Sequence, residues 1–198
     1  MSPLSRLRLA FVAPIAALAL AGCGVNSIPT AEENAKAKWA DVQAAYQRRA
    51  NLIPNLEATV KGAAASEKEI LTDVIEARAK ATSIQVSAND LNDPAKVQAF
   101  QNAQNQLSGS LGRLLANVEA YPDLKSQQNF ATFMSQLEGT ENRIEISVRD
   151  YNEAVQAYNT KVRTFPDSIG AKIFYGAKPM QTFQATAPNA DQAPKVSF

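Results

Sequence analysis

The sequence predicts an all-α protein, an elongated antiparallel bundle of three to four long helices. Three observations carry this. Apolar residues recur at steps of three and four through most of the chain, the period of one helix face. Alanine, the best helix former, is abundant throughout. Glycine occurs only eight times in 198 residues and proline is sparse in the middle, which argues against an all-β fold.

The first helix is expected to start after Thr30, whose side chain suits an N-cap, with Glu32 and Glu33 near the positive end of the helix dipole. Its apolar face carries Trp39, Val42, Tyr46, Ile53, Leu56, Val60 and Ala63, with a longer gap at Arg49-Ala50. Pro54 falls inside this run. Proline removes one amide bond and crowds the preceding turn, so a kink is expected near residues 50–54. Gly62 and Ser66 mark a second weak point, after which Ile70, Leu71, Val74, Ile75 and Ala81 continue the pattern.

Residues 82–93 are rich in turn formers. Asp93 is placed to cap a helix whose first residue is Pro94, where a missing amide costs nothing. That helix shows Val97, Phe100, Leu107, Leu111, Leu114, Val118 and Tyr121 at three-four spacing, with Gln104 in the slot between Phe100 and Leu107. Tyr121-Pro122-Asp123 is expected to end it. The most regular stripe follows: Phe130, Phe133, Leu137, Ile144, Val148, Tyr151, Val155, Tyr158, Val162 and Phe165, polar only near Thr140-Glu141. A helix of about 40 residues would be roughly 60 Å long. It must bury its stripe on other helices to be stable. Phe165-Pro166 stops it. Residues 166–178 are expected to form a short helix on the bundle end, and the tail from Pro179 is expected to be irregular. The organisation is therefore a leader at 1–22, a tether at 23–30, a bundle at 31–178 and an irregular tail at 179–198.

The leader is a targeting segment, read apart from the fold. Arg6 and Arg8 precede an apolar stretch from Leu9 to Leu20, then Leu20-Ala21-Gly22-Cys23. This order resembles the lipobox of bacterial lipoproteins, in which the cysteine thiol takes a diacylglyceryl group and cleavage falls just before it. The stretch is shorter than the roughly 20 residues of a spanning helix. Cys23 is the only cysteine, so no internal disulfide exists. Two or more acyl chains give stable anchoring, at about 0.8 kcal/mol per buried methylene. The expected partner is thus a membrane, reached through lipid on Cys23, and the expected place is the cell envelope. If the cell has two membranes, Gly24 rather than Asp after the cysteine resembles the pattern sent to the outer one, facing the periplasm.

Loss of residues 1–22 removes two arginines and no acid, leaving 18 basic against 19 acidic residues, a net charge of −1. That balance gives no case for nucleic acid. The chain has no histidine, which removes imidazole-based nucleophile systems and most zinc sites. No Gly-rich phosphate loop occurs. Glu138, Glu141 and Glu145 share one helix face and read as a solvated acidic stripe. No catalytic residue, metal or cofactor is expected, and the chain is expected not to be an enzyme.

One polar cluster stands out: Arg48, Arg49, Asn51 and Asn55 around Pro54, with Glu141, Asn142 and Arg143 on the long helix. Two structural roles suit it. Its members either satisfy the carbonyls freed at Pro54 or pair with Glu141 across the bundle, fixing helix register. A recognition surface is the functional alternative.

The same residues carry a resemblance. Trp39-x-x-Val42-x-x-x-Tyr46-Gln47-Arg48-Arg49-x-Asn51-Leu52-Ile53-Pro54-Asn55-Leu56-x-x-Thr59-Val60-Lys61-Gly62 resembles the signature of the LemA family. Glu76-Ala77-Arg78-Ala79, Glu119-x-Tyr121-Pro122-x-Leu124-Lys125, Leu137-Glu138-Gly139-Thr140-Glu141-Asn142-Arg143-Ile144, Tyr151-Asn152, Tyr158-Asn159, Phe165-Pro166, Phe183 and Ala193-Pro194-Lys195-Val196-Ser197-Phe198 extend it. The resemblance covers residues 34–198. It implies a helical bundle of the bacterial envelope and carries over no catalytic residue. Many members have a transmembrane helix where this chain has a lipobox. The segment Ile173-Phe174-Tyr175-Gly176-Ala177-Lys178 matches the family pattern more loosely than the flanking motifs. The expected function is a membrane-anchored, non-enzymatic scaffold or adaptor, with a second copy of the chain or an envelope protein as partner. A module holding lipid or peptide between helices is the alternative.

Overall fold

The computed structural model describes residues 26–63, 68–118 and 128–184. Cys23, the leader, the weak point at Ser66, the 121–123 stop and the last residues from 185 lie outside the described residues.

Four long helices carry the fold: α1 (Ser27–Ala63), α2 (Lys68–Ser83), α3 (Pro94–Val118) and α4 (Gln128–Arg163). Among the described residues there is no strand. α1 packs along α4, α2 packs along α3, and α1 meets α2 to join the pairs. Both pairs are antiparallel. From Trp39 to Arg49 along α1, the partners on α4 retreat from Tyr151 to Glu141. From Asp73 to Lys80 along α2, the partners on α3 retreat from Arg113 to Gln106.

α1 begins at Ser27, earlier than the Thr30 cap expected from sequence. Asn26 supplies the first carbonyl, accepting from the Thr30 amide at 3.3 Å and the Thr30 hydroxyl at 2.8 Å. Pro29 is harmless there, because amides in the first turn have no intrahelical partner. The stretch expected as a tether to residue 30 is therefore helical in its last four residues.

α1 also runs unbroken through Pro54. The carbonyl orphaned by that proline belongs to Ala50, four residues earlier. Arg78 on α2 fills the gap, its Nε–H donating to Ala50 O at 2.7 Å. The proline thus becomes a docking point for the neighbouring helix.

α3 starts as expected. Asp93 accepts from the amides of Ala95 at 2.9 Å and Lys96 at 3.3 Å. α4 buries the predicted stripe from Phe130 to Tyr158. Phe165 is the exception. The helix ends at Arg163, so the side chain leaves the stripe and is exposed.

Beyond α4 lie a four-residue helix α5 (Asp167–Gly170) and one π turn (Ala171–Tyr175). Gly176, at φ +54°, reverses the chain; a left-handed φ is cheap only for glycine. Residues 176–184 then run without regular structure, back across the bundle. The core falls into two clusters. One surrounds Trp39, Phe100, Tyr151 and Phe183. The other surrounds Ile53, Leu71, Leu107 and Phe133.

Candidate functional site

Three polar slots interrupt the apolar stripes, at Arg49 in α1, Gln104 in α3 and Thr140-Glu141 in α4. The fold brings them to one level, between the two core clusters. Arg49 is 1% exposed there. Its Nη1 donates to Ser108 Oγ at 2.7 Å and to Glu141 Oε1 at 3.1 Å. Its Nη2 donates to the Gln104 side-chain oxygen at 2.9 Å and to Gln104 O at 3.1 Å. The guanidinium carbon lies 5.0 Å from the Tyr46 ring centroid. Gln104 in turn donates to Ala81 O at the end of α2. One arginine therefore ties all four helices at a single height.

The energetics explain why so many partners are needed. Desolvating a charge costs several kcal/mol. Hydrogen bonds to a charged group return about 1.5–3 kcal/mol each. The counter-ion is only half buried, since the Glu141 side chain is 45% exposed. The neutral acceptors on α3 therefore supply much of the compensation. Nε–H of Arg49 finds no acceptor among the described protein atoms. Burial of the Tyr46 hydroxyl beside this layer pushes its pKa up to about 12.

The predicted polar cluster divides here. Arg49 and Glu141 meet, as one of the two structural roles anticipated. Arg48, Asn51 and Asn55 lie on the exposed face of α1, and Asn51 accepts from Gln47 at 2.9 Å. Arg143 is exposed on α4, and Asn142 faces a cleft. The carbonyl freed by Pro54 is satisfied by Arg78, outside the predicted set.

That cleft separates α3 from α4 and measures about 1780 Å³. Asn105, Ser108 and Gly109 form one wall, and Gly109 adds no side chain to it. Met134, Leu137, Ile144 and Val148 give the α4 wall an apolar part. Glu138, Glu141, Glu145 and Glu153 give it an acidic part, with Arg149 as the cation on that wall. Pro54 is not part of it, so the opening lies elsewhere than at the expected kink.

Thr182 and Phe183 close one end of the cleft. They belong to the returning segment, which two Tyr-Asn pairs on α4 hold. Asn159 donates to Met180 O at 2.9 Å and accepts from the Met180 amide at 2.8 Å. Asn152 does the same for Phe183, at 2.8 Å and 2.7 Å. Tyr151 and Tyr158 donate to Gln181 O and Lys178 O. The register follows from geometry. Seven helical residues advance about 10.5 Å, and three extended residues advance about 10 Å. The side-chain amides thus act as a short ladder for an extended chain. Phe183 then seats among Trp39, Tyr46 and Phe100, with ring centroids at 6.3, 5.8 and 6.3 Å.

The LemA family model matches residues 38–198, which include α1 from Lys38, the polar layer, the Tyr-Asn pairs and Phe183. The chain belongs to the LemA family. Among curated relatives, this LemA-family chain is 29% identical over 175 residues to Magnetosome protein MamQ 2 of Paramagnetospirillum magneticum, covering 80% of this chain and 64% of that one. It is 27% identical over 124 residues to Protein LemA of Metamycoplasma hominis, covering 63% and 52%. A MamQ of Magnetospirillum gryphiswaldense is 27% identical over 157 residues, covering 71% and 58%. The chain therefore spans less than two thirds of the length of these relatives. None of the three names is that of an enzyme. Among the described residues, no cluster of metal-ligating side chains occurs, and no helix is long and apolar enough to cross a membrane.

Proposed function

We propose that this LemA-family chain is a lipid-anchored, non-enzymatic adaptor of the bacterial cell envelope, and that its α3–α4 cleft receives a segment of a partner protein. The observation that carries this is the cleft itself. Two long helices of one bundle stand apart, and the exposed wall combines apolar side chains with four glutamates. Charge complementarity calls for an apolar segment with lysine or arginine at its flanks. An anionic lipid would meet the glutamates as like charges, so the wall favours peptide over phospholipid. Lipid on Cys23 would hold the bundle against the membrane, the outer one facing the periplasm where two exist. Metabolic labelling with a palmitate analogue, lost on Cys23→Ser, tests the anchor.

A photo-crosslinking residue at Met134 or Asn142 in cells tests the cleft. The expected result is a discrete protein adduct that disappears when Glu138 and Glu145 become lysine. Adducts to lipid alone, or a protein adduct indifferent to that charge reversal, would overturn the reading.

A further inference from the structure

Seven large hydrophobic side chains are exposed among the described residues, and five of them fall within one eleven-residue segment. They are Phe165 at 81%, Ile169 at 51%, Ile173 at 70%, Phe174 at 67% and Tyr175 at 41%. This segment spans α5 and the π turn at one end of the bundle. Scattered exposed hydrophobes need no explanation, but five together mark a contact surface. No described part of the chain covers them.

The same end holds the start of α1. Ser27 donates to Asp167 at 3.0 Å, and buried Ile28 packs beside Gly170. Cys23 lies four residues before Ser27. Four extended residues reach at most about 14 Å. An acyl chain on Cys23 therefore enters the bilayer within a short distance of the five side chains. Arg163 and Lys178 flank the segment and Lys172 lies within it, all exposed and suited to phosphate headgroups, while Lys161 pairs with Asp167 at 3.7 Å.

We propose that Phe165, Ile169, Ile173, Phe174 and Tyr175 form a membrane-contact face, inserted at the headgroup boundary of the bilayer that holds the anchor. The face fixes how the bundle stands. A lipid anchor alone would leave the orientation free, whereas two attachment points at one end hold the helices away from the membrane. This orientation puts Arg49, 22 residues along α1 from Ser27, roughly 33 Å from the helix start at 1.5 Å per residue. The inference rests on the anchored reading above for the position of the bilayer.

The test uses the mature, lipidated protein beginning at Cys23, in vesicles of phosphatidylethanolamine and phosphatidylglycerol. A nitroxide is placed on Ile173→Cys, with Ile146→Cys on α4 as the control, and collision with oxygen is compared with collision with a water-soluble nickel chelate. The expected result is an oxygen-to-nickel ratio severalfold higher at position 173 than at 146. Equal ratios would overturn the proposal. Low access to both reagents at 173 would also overturn it, by showing a protein contact instead. Nitroxide uptake by the unsubstituted chain would show a free Cys23 thiol and refute the anchor, and position 173 is then read in a Cys23→Ser background. A chain found in no membrane at all refutes both.

Discussion

The two halves of the core are built from different materials. Around Trp39, five aromatic rings interlock, with Trp39–Phe100 at 5.4 Å, Trp39–Tyr151 at 5.2 Å and Tyr46–Phe100 at 5.5 Å. Around Leu107 the filling is leucine, isoleucine, valine and alanine, with one aromatic pair, Phe130–Phe133, at 6.4 Å. The aromatic half needs residues from α1, α3, α4 and the returning segment at once. The leucine half is made largely by α2 and α3, which follow one another in the chain. Edge-to-face ring contacts contribute about 0.5–1.5 kcal/mol beyond area burial. The aromatic half is thus the more strongly determined, and it depends on closure by residues far apart in sequence. The buried Arg49 layer is the seam between them.

Truncation measures this difference most directly. Trp39→Ala is expected to cost about 4–5 kcal/mol, the upper end for a buried aromatic. It removes the ring centre of the cluster and leaves Val86 O without the indole N–H that donates to it at 2.8 Å. Leu107→Ala is expected to cost about 2–4 kcal/mol, as for other buried leucines. Urea titrations followed by far-UV circular dichroism compare the two. Equal losses would mean that the aromatic contacts add nothing beyond burial.

The seam itself comes next. Arg49→Ala is expected to cost about 3 kcal/mol, because Gln104 and Ser108 lose their charged partner and a cavity opens. Arg49→Met fills the space without the charge and is expected to recover most of that loss. The alanine variant should also uncouple the halves, so that the near-ultraviolet signal of Trp39 and the exchange of α2 amides no longer change together. One coincident transition in that variant would show that the seam does not join them.

Much of this was legible in sequence. The three-four stripes predicted the helices, and the polar interruptions at Arg49, Gln104 and Thr140-Glu141 were visible as gaps. Their meeting was not fully legible, because periodicity places a residue on a face but does not set the height of one helix against another. The pairing of Arg49 with Glu141 was named as one option, whereas Ser108 and Gln104 as its acceptors were not. Arg78 as the partner of Ala50 depended on how α2 folds back. The Tyr-Asn pairs were visible at seven-residue spacing, yet their meaning required knowing that residues 178–183 return across α4. Phe165 continued the stripe in pattern, but the stop at Pro166 takes it out of the helix. The cleft depends on which helices fail to meet, which no single stripe encodes.

The returning segment gives a milder probe of the aromatic half. Asn152→Ala and Asn159→Ala each remove two hydrogen bonds, one from the amide and one from the carbonyl of a single residue, and each is expected to cost about 1–3 kcal/mol. The losses should add, since sites about 10 Å apart with separate partners are independent. Hydrogen exchange should quicken at the amides of Met180 and Phe183, while α2 and α3 amides around Leu107 keep their protection. Equal quickening in both halves would erase the distinction drawn between them.

The smallest effect is expected from acid. Asp90 sits in the 3₁₀ turn Ala88–Asp90, between Val86 and Leu91 of the aromatic half. The Lys96 ammonium and the Ser87 hydroxyl and amide hold its carboxyl down to about 2, from an ordinary 3.8. A lowered carboxyl stabilises the fold above the unfolded value, and that contribution is lost as pH falls through the folded one. The decline therefore falls between about 3.8 and 2. Solvent reaches the group and screens the effect. Asp90→Asn should therefore lower stability slightly at neutral pH and leave it unchanged below about pH 2, which flattens the acid limb of the stability–pH curve in that window. A stronger effect at neutral pH would mean that the turn positions Leu91 and the bond from the Gln181 amide to Leu91 O, at 2.8 Å, and so governs closure of the returning segment as well.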